Sequence, residues 1–173
     1  ISLKKIEGTV DLTGSIYRAF CNCKLLESWP TLKLNRVTSI SEAFDNCYKM
    51  TFDQMRTILN SLTNCTDFYR GFANCSNVSC TEYPADLFKN NVKMTSLYYT
   101  FLGTKMSGQL KEGIFDPLIN LETIRHPFPS ISGYIPDNLF ANNTKLTTCA
   151  ELFQGMTGLN LGPQGPLFPN CPN

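Results

Sequence analysis

Residues 39–50 read SISEAFDNCYKM, and this stretch decides the fold because its frame of residues returns along the chain. The upstream segment GSIYRAFCNCKLL at 14–26 repeats the frame, and DFYRGFANCSNV at 67–78 repeats it again. Each copy places an apolar residue, a small residue followed by Phe, a Cys and a second apolar residue at the same offsets. A frame that recurs in this way predicts a protein built from structural repeats.

The frame continues in the second half of the chain with other residues. LFKNNVKMT at 87–95 and LFANNTKLT at 139–147 keep its spacing, with Asn91 and Asn143 in the place of the cysteine. A buried amide that hydrogen-bonds unpaired backbone groups suits such an internal turn as well as a small thiol does. Phenylalanines recur every 12 to 15 residues, and two such units match the 24 and 28 residues that separate Phe20, Phe44 and Phe72. Periods of this length indicate a solenoid.

The expected fold is one α/β repeat domain over residues 1–173, in which short parallel strands are joined by short helical or 3₁₀ segments. Repeats are more regular over 12–83 and degenerate over 84–173, and we expect the chain to be an excerpt of a longer protein. Ile40, Ala43, Phe44 and Cys47 fit one face of a short helix, with Asp45 facing water. TFDQMRTILNSL at 51–62 predicts a longer amphipathic helix. The predicted internal ladder consists of Phe20, Cys23, Phe44, Cys47, Phe72, Cys75, Asn91, Asn143 and Cys171.

Eight cysteines would suit the disulfide framework of a secreted protein. Cys23, Cys47, Cys75 and Cys171, however, each follow a repeat phenylalanine by three residues, so stacked repeats would place them in one internal column as free thiols. The other cysteines, which lie off this column and could form one or two disulfides, are Cys21, Cys65, Cys80 and Cys149. The chain has no C-x-x-C and a single histidine, so we predict no metal site and no other cofactor.

Composition and motifs argue against several classes of function. The formal net charge is +1, and the scattered Lys and Arg residues form no basic stripe, so nucleic acid is not an expected partner. No apolar run approaches the roughly 20 residues of a membrane span. Any secretion signal is expected outside this chain, which begins with Ile. His126 stands apart from any nucleophile motif and fits an ordinary surface histidine, so we predict that the protein is not an enzyme.

Candidate binding residues occupy the two positions before the small residue of each frame. Stacked repeats would align these positions in two exposed columns, and Tyr and Arg are common at recognition hot spots. The alternative is that the side chains only cover and solvate the outside of the coil. A second candidate is the strand-bearing face, with Trp29, Tyr48 and Tyr83, although the alternation of side chains in such short strands does not assign them to the outside or the inside. The predicted partner-binding residues are Tyr17, Arg18, Tyr69, Arg70, Tyr98, Tyr99 and Arg125.

VTSISEAFDNCYKM at 37–50 resembles the leucine-rich repeat of the BspA-like, or Treponema pallidum, type, whose unit runs roughly L-x-x-I-x-x-x-A-F-x-x-C-x-x-L. The match is close at 12–26 and 37–50, fair at 64–78 and loose from 84 onward. The resemblance implies a leucine-rich-repeat-like, curved, right-handed solenoid of short parallel strands, whereas the loose match from 84 onward predicts an irregular second half. It also implies a secreted or surface protein of bacteria, their phages or some protists, with a role in adhesion.

These observations together predict a non-enzymatic, extracellular or cell-surface module that binds a protein or glycan on a cell surface. GPLFPNCPN at 165–173 restarts the repeat and stops within it. Either the coil continues in residues beyond this chain, or a partner covers that end by self-association through the terminal coils. The alternative function is therefore structural: a subunit or segment of a surface fibre, or of the exterior of a phage virion or tail.

Overall fold

The structure is a computed structural model that describes residues 3–161. The chain winds into a β-solenoid of about six turns, in which parallel strands stack from one turn to the next. The predicted solenoid of short parallel strands is thus confirmed. Cys171 and the restarted repeat at 165–173 lie outside the described residues.

Within the described residues the parallel strands form four pairs, and single bridges connect two of these pairs into a longer column. In chain order the elements are β1 (Thr9–Ser15), β2 (Thr31–Ser39), α1 (Phe52–Ser61), β3 (Ser79–Cys80), β4 (Ser96–Tyr98), β5 (Lys105–Met106), β6 (Thr123–Arg125), β7 (Gly133–Ile135) and β8 (Leu159–Leu161). The strand pairs are β1–β2, β3–β5, β4–β6 and β7–β8, all parallel. Strand β2 reaches β4 through Asp67, and β6 continues to Thr148, so one line of parallel pairing passes through successive turns.

The segments around the repeat phenylalanines are tight turns. Glu42 and Asn46, which flank Phe44, adopt left-handed φ angles of 51° and 62°. The N–H of Phe44 donates to the carbonyl of Gly71 in the next turn at 3.0 Å, so parallel pairing continues around the corner. The predicted helical or 3₁₀ segments are therefore absent here, because left-handed residues interrupt the right-handed dihedrals that a helix needs. The same two left-handed positions recur at Arg18 and Asn22, and at Arg70 and Asn74.

Two stacks of phenylalanine rings fill the interior. In the first stack, Phe20, Phe44, Phe72, Phe101 and Phe128 follow one another with ring centroids 5.3 to 5.8 Å apart. The second stack consists of Phe88, Phe115 and Phe140, with centroid separations of 6.0 and 4.7 Å. Where both stacks run, each turn thus contributes one ring to each stack. Two rings per turn explain why phenylalanines recur every 12 to 15 residues, which is half of a full repeat.

The cysteine and asparagine positions form two columns instead of the single ladder that the sequence predicts. Cys47 and Cys75 donate from Sγ to the carbonyls of Phe20 and Phe44 at 3.2 and 3.1 Å, beside the first ring stack. Asn143 lies beside the second stack, where its Nδ2 donates to the carbonyls of Phe115 and Leu118 at 3.0 and 2.8 Å. Both side-chain types therefore bond carbonyls of the preceding turn, in different halves of the coil.

The cysteines of the first column are buried and free, and their environment suppresses ionisation. Cys23, Cys47 and Cys75 carry no disulfide. Burial raises the pKa of Cys75 to about 12, because a thiolate would lose its hydration there. Of the off-column cysteines, Cys149 is disulfide-bonded, whereas the free thiols are Cys21, Cys65 and Cys80.

Helix α1 replaces the tight turn in the second half of its coil. Thr51 caps its first turn and forms a reciprocal capping box with Gln54. The amide of Asn91 donates to the carbonyls of Leu59 and Leu62 at 2.9 and 3.2 Å, so the next turn bonds the C-terminal end of the helix. The predicted inward residues Met55, Ile58, Leu59 and Leu62 are buried, and Phe52 is half-buried.

Candidate binding surfaces

Four of the predicted binding residues come together on the surface, in a patch that we call the tyrosine stripe: Tyr69, Tyr98, Tyr99 and Arg125, with Glu151 at its end. The rings of Tyr69 and Tyr98 have centroids 5.3 Å apart, and Tyr98 meets Tyr99 edge to face at 4.7 Å. Because β4 and β6 pair with Tyr98 opposite Arg125, the guanidinium lies over both rings, 5.2 Å from Tyr98 and 5.7 Å from Tyr99. The rings of the stripe therefore form a continuous aromatic surface on two successive turns, which Arg125 and Glu151 extend onto the next two turns.

An ion pair fixes the stripe and neutralises its arginine. Arg125 Nε and Nη2 donate to the two carboxylate oxygens of Glu151 at 2.9 and 2.5 Å. Tyr99 also donates to Glu151, at 3.1 Å, and Arg125 Nη1 donates to the hydroxyl oxygen of Tyr98 at 2.6 Å. The Arg125 hydrogen bond holds the pKa of Glu151 below its usual range, so the pair stays charged at neutral pH. Arg125 thus orients the tyrosines and offers little free charge to a ligand.

Tyr17 and Arg18 stand apart from the stripe. Tyr17 is 56% exposed, and the Arg18 guanidinium lies 5.8 Å from its ring centroid while pairing with Glu42 at 3.3 Å. The backbone pairing places Ser41 and Glu42 between the first turn and Tyr69. The predicted columns are therefore interrupted at the second turn, where neither position carries an aromatic residue.

Arg70 belongs to a partly buried network. Its Nη2 lies 3.1 Å from Asp45 Oδ2, and Asn74 Nδ2 donates to Asp45 Oδ1 at 2.9 Å. Asp45 is only 5% exposed, so the expectation that it faces water is wrong. Its burial depends on two residues of the next turn, which satisfy both carboxylate oxygens. Arg70 therefore links neighbouring turns, and its side chain remains 27% exposed.

A second surface is a cleft of about 500 Å³ where α1 passes the start of β2. Trp29, from the strand-face group of candidates, lines it half-buried and packs edge to face against Phe20 and Phe44, with centroids 5.4 and 5.5 Å away. The cleft is lined by Glu27, Ser28, Trp29, Pro30, Thr31, Leu32, Asp53, Gln54, Thr57, Ile58 and Ser61. Sequence reasoning missed it because these residues come from two segments that the fold brings together; a lone Trp preceding an amphipathic helix was the available signal.

Tyr48 and Tyr83, the other two candidates from the strand-bearing face, lie outside this cleft. Tyr48 is exposed, with Lys24 Nζ 5.4 Å from its ring centroid. Tyr83 is fully buried and donates its hydroxyl to the carbonyl of Ser130 at 2.6 Å, so it faces the interior and is no surface candidate. Its long-range hydrogen bond ties two turns of the coil together.

Within residues 3–161 no three His, Cys, Asp or Glu side chains come close enough to hold a metal ion. His126 contacts the stripe from its side, with its ring centroid 6.0 Å from that of Tyr99. The ten residues of α1, the one helix in the described part of the chain, are too few to cross a bilayer, which takes about 20. Comparison with models of known protein families and with the sequences of characterised proteins gave no match.

Proposed function

We propose that this chain is a non-enzymatic recognition module, of the BspA-like leucine-rich-repeat type, that acts outside the cell or on its surface. Its ligand is a protein or glycan of a cell surface, and its contact area is the tyrosine stripe. The observation that carries this proposal is the continuous packing of Tyr69, Tyr98 and Tyr99, held in place by the Arg125–Glu151 pair.

The geometry suits recognition because the aromatic rings are ordered before a ligand arrives. A tyrosine that is already packed loses little side-chain entropy on binding, and its ring supplies large contact area. Tyr98 and Tyr99 have hydroxyls bonded to the ion pair, so their orientation is set by neighbouring turns of the coil. The neutralised arginine gives no attraction to phosphate, which favours a protein or neutral glycan over nucleic acid.

The double substitution Tyr69→Ser and Tyr98→Ser tests the stripe. Binding of the purified chain to a panel of purified extracellular proteins and immobilised glycans is measured by surface plasmon resonance. If both rings are hot spots, the double variant loses at least about tenfold in affinity for each ring. Tyr48→Ser with Tyr134→Ser is the matched control, since these two rings are each 38% exposed and lie outside the stripe.

Full retention of binding by a folded stripe variant would refute the proposal. The alternative function, assembly into a surface fibre or a phage virion or tail, predicts a large native particle and no affinity for the panel. Sedimentation of the native protein separates the two functions, because recognition through the stripe needs no self-association. If the native protein is a polymer, and substitutions at the terminal coils dissociate it, the result would support assembly as the function.

A further inference from the structure

The cleft beside α1 combines an aromatic wall with a polar rim, and it shares no residue with the tyrosine stripe. Its volume of about 500 Å³ falls within the roughly 300–1,000 Å³ of small-molecule sites. Trp29, Pro30, Leu32 and Ile58 supply the apolar lining. The indole Nε1 is buried and has no hydrogen-bond partner among the described residues.

The polar lining of the cleft offers mostly hydrogen-bond acceptors. Thr57 and Ser61 donate their hydroxyls back to helix carbonyls at 2.8 and 2.7 Å, so their oxygens keep only acceptor capacity. Gln54 is occupied at both ends, accepting from the Thr51 N–H and donating to the Glu27 carbonyl. The exposed carboxylate of Asp53 has no cation within ion-pair distance in the described part of the chain. The oxygens of Asp53, Thr57 and Ser61 therefore favour a ligand that carries several hydrogen-bond donors.

The charge of the lining narrows the ligand class further. No Lys or Arg lines the cleft, and Glu27 and Asp53 both do, so phosphorylated, sulfated or carboxylated ligands are disfavoured. Lys49 lies 3.9 Å from Glu27 and offsets part of that negative charge. Quaternary ammonium ligands are held in cages of several aromatic rings, and this cleft has one ring. A neutral sugar fits better, because its apolar face can lie on an indole while its hydroxyls donate to carboxylate and hydroxyl oxygens.

We propose that this cleft binds a neutral saccharide, with the Trp29 ring as the apolar platform and Asp53 and Thr57 as acceptors for sugar hydroxyls. The two surfaces then serve different ligands: the stripe takes the large partner, and the cleft takes a small sugar. This inference stands independently of the stripe, since no residue of one surface lies on the other.

Trp29 is the single tryptophan of the chain, so its fluorescence reports on this cleft directly. The purified chain is titrated with cellobiose, maltose, lactose and N,N′-diacetylchitobiose, and isothermal titration calorimetry repeats any titration that changes the emission. We expect a saturable change with at least one disaccharide. Asp53→Asn keeps the size of the side chain and removes its charge, so affinity should fall roughly tenfold, the value of about one charge-assisted hydrogen bond.

Two controls separate this site from the stripe. The Tyr69→Ser, Tyr98→Ser variant should bind the sugar with unchanged affinity, even if it has lost its large partner. Choline and lysine amide test the cationic alternative. The proposal is overturned if no disaccharide gives a saturable change, if Asp53→Asn binds as tightly as the parent while remaining folded, or if only the cations bind.

Discussion

Phe72→Ala is the most direct test of the interior, because Phe72 lies in the middle of the first ring stack. Its side chain is fully buried, and its ring packs parallel to those of Phe44 and Phe101 at 5.3 and 5.8 Å. Truncation of a buried Phe to Ala costs about 3–5 kcal/mol, which includes the cavity that remains. With two stacked neighbours lost, we expect the upper part of that range, about 4–5 kcal/mol, against a typical domain stability of roughly 5–15 kcal/mol.

Urea unfolding, followed by far-ultraviolet circular dichroism and by Trp29 fluorescence, measures this loss. Phe20→Ala is the matched comparison, since Phe20 is half-buried and begins the described stack. Its truncation should cost about 2 kcal/mol, because part of the ring is already in water. Equal losses in the two variants, or a loss below about 1.5 kcal/mol at Phe72, would refute the idea that a continuous ring stack stabilises the coil.

Two further predictions concern two buried thiols and the asparagine column. Burial raises the pKa of both Cys65 and Cys75 to about 12, from an ordinary value of about 9. The unfolded chain therefore ionises first as pH rises, and the stability present below pH 9 should fall by about 1.4 kcal/mol per pH unit for each thiol between those values. Urea unfolding midpoints at pH 7.5 and pH 10 measure this loss of stability. Cys75→Ala should make the stability depend less steeply on pH. A midpoint that does not change with pH would contradict the prediction. Asn143→Leu removes two hydrogen bonds to carbonyls that keep their backbone donors, so thermal unfolding should reveal a loss of about 1–3 kcal/mol. The exposed neighbour Asn142→Leu should change stability by less than about 0.5 kcal/mol, and equal effects would argue against the asparagine column.

The sequence predicts the parts of the fold that depend on side chains repeated at fixed offsets. Phe20, Phe44 and Phe72 stack because identical offsets bring identical residues to the same place in successive turns. The amphipathic helix was predictable for a similar reason, since a local period of apolar residues defines its buried face. The shape of the tight turns was not, because Glu42 and Arg70 are residue types that rarely adopt φ near +50°. Hydrogen bonds to the neighbouring turns offset that cost.

The surfaces were less predictable because their properties depend on contacts between turns. The sequence places Tyr69, Tyr98 and Arg125 at equivalent positions, which proved sufficient to locate the stripe. It does not reveal that Glu151 pairs with Arg125, or that Asp45 is buried against Arg70, since those partners are 26 and 25 residues apart in the chain. The cleft likewise joins segments that no local pattern connects.

The two ring stacks restrict how a chain of this kind can lengthen. Duplication of one whole turn, 24 or 28 residues between the first three frames, would set each new ring on a ring of its own stack. Duplication of a single 13-residue unit would instead place a tight turn of the cysteine column over one of the asparagine column. The two halves of every later coil would then be exchanged. Copy number should therefore change in whole turns, and natural variants that differ in length by half a turn are expected to be rare.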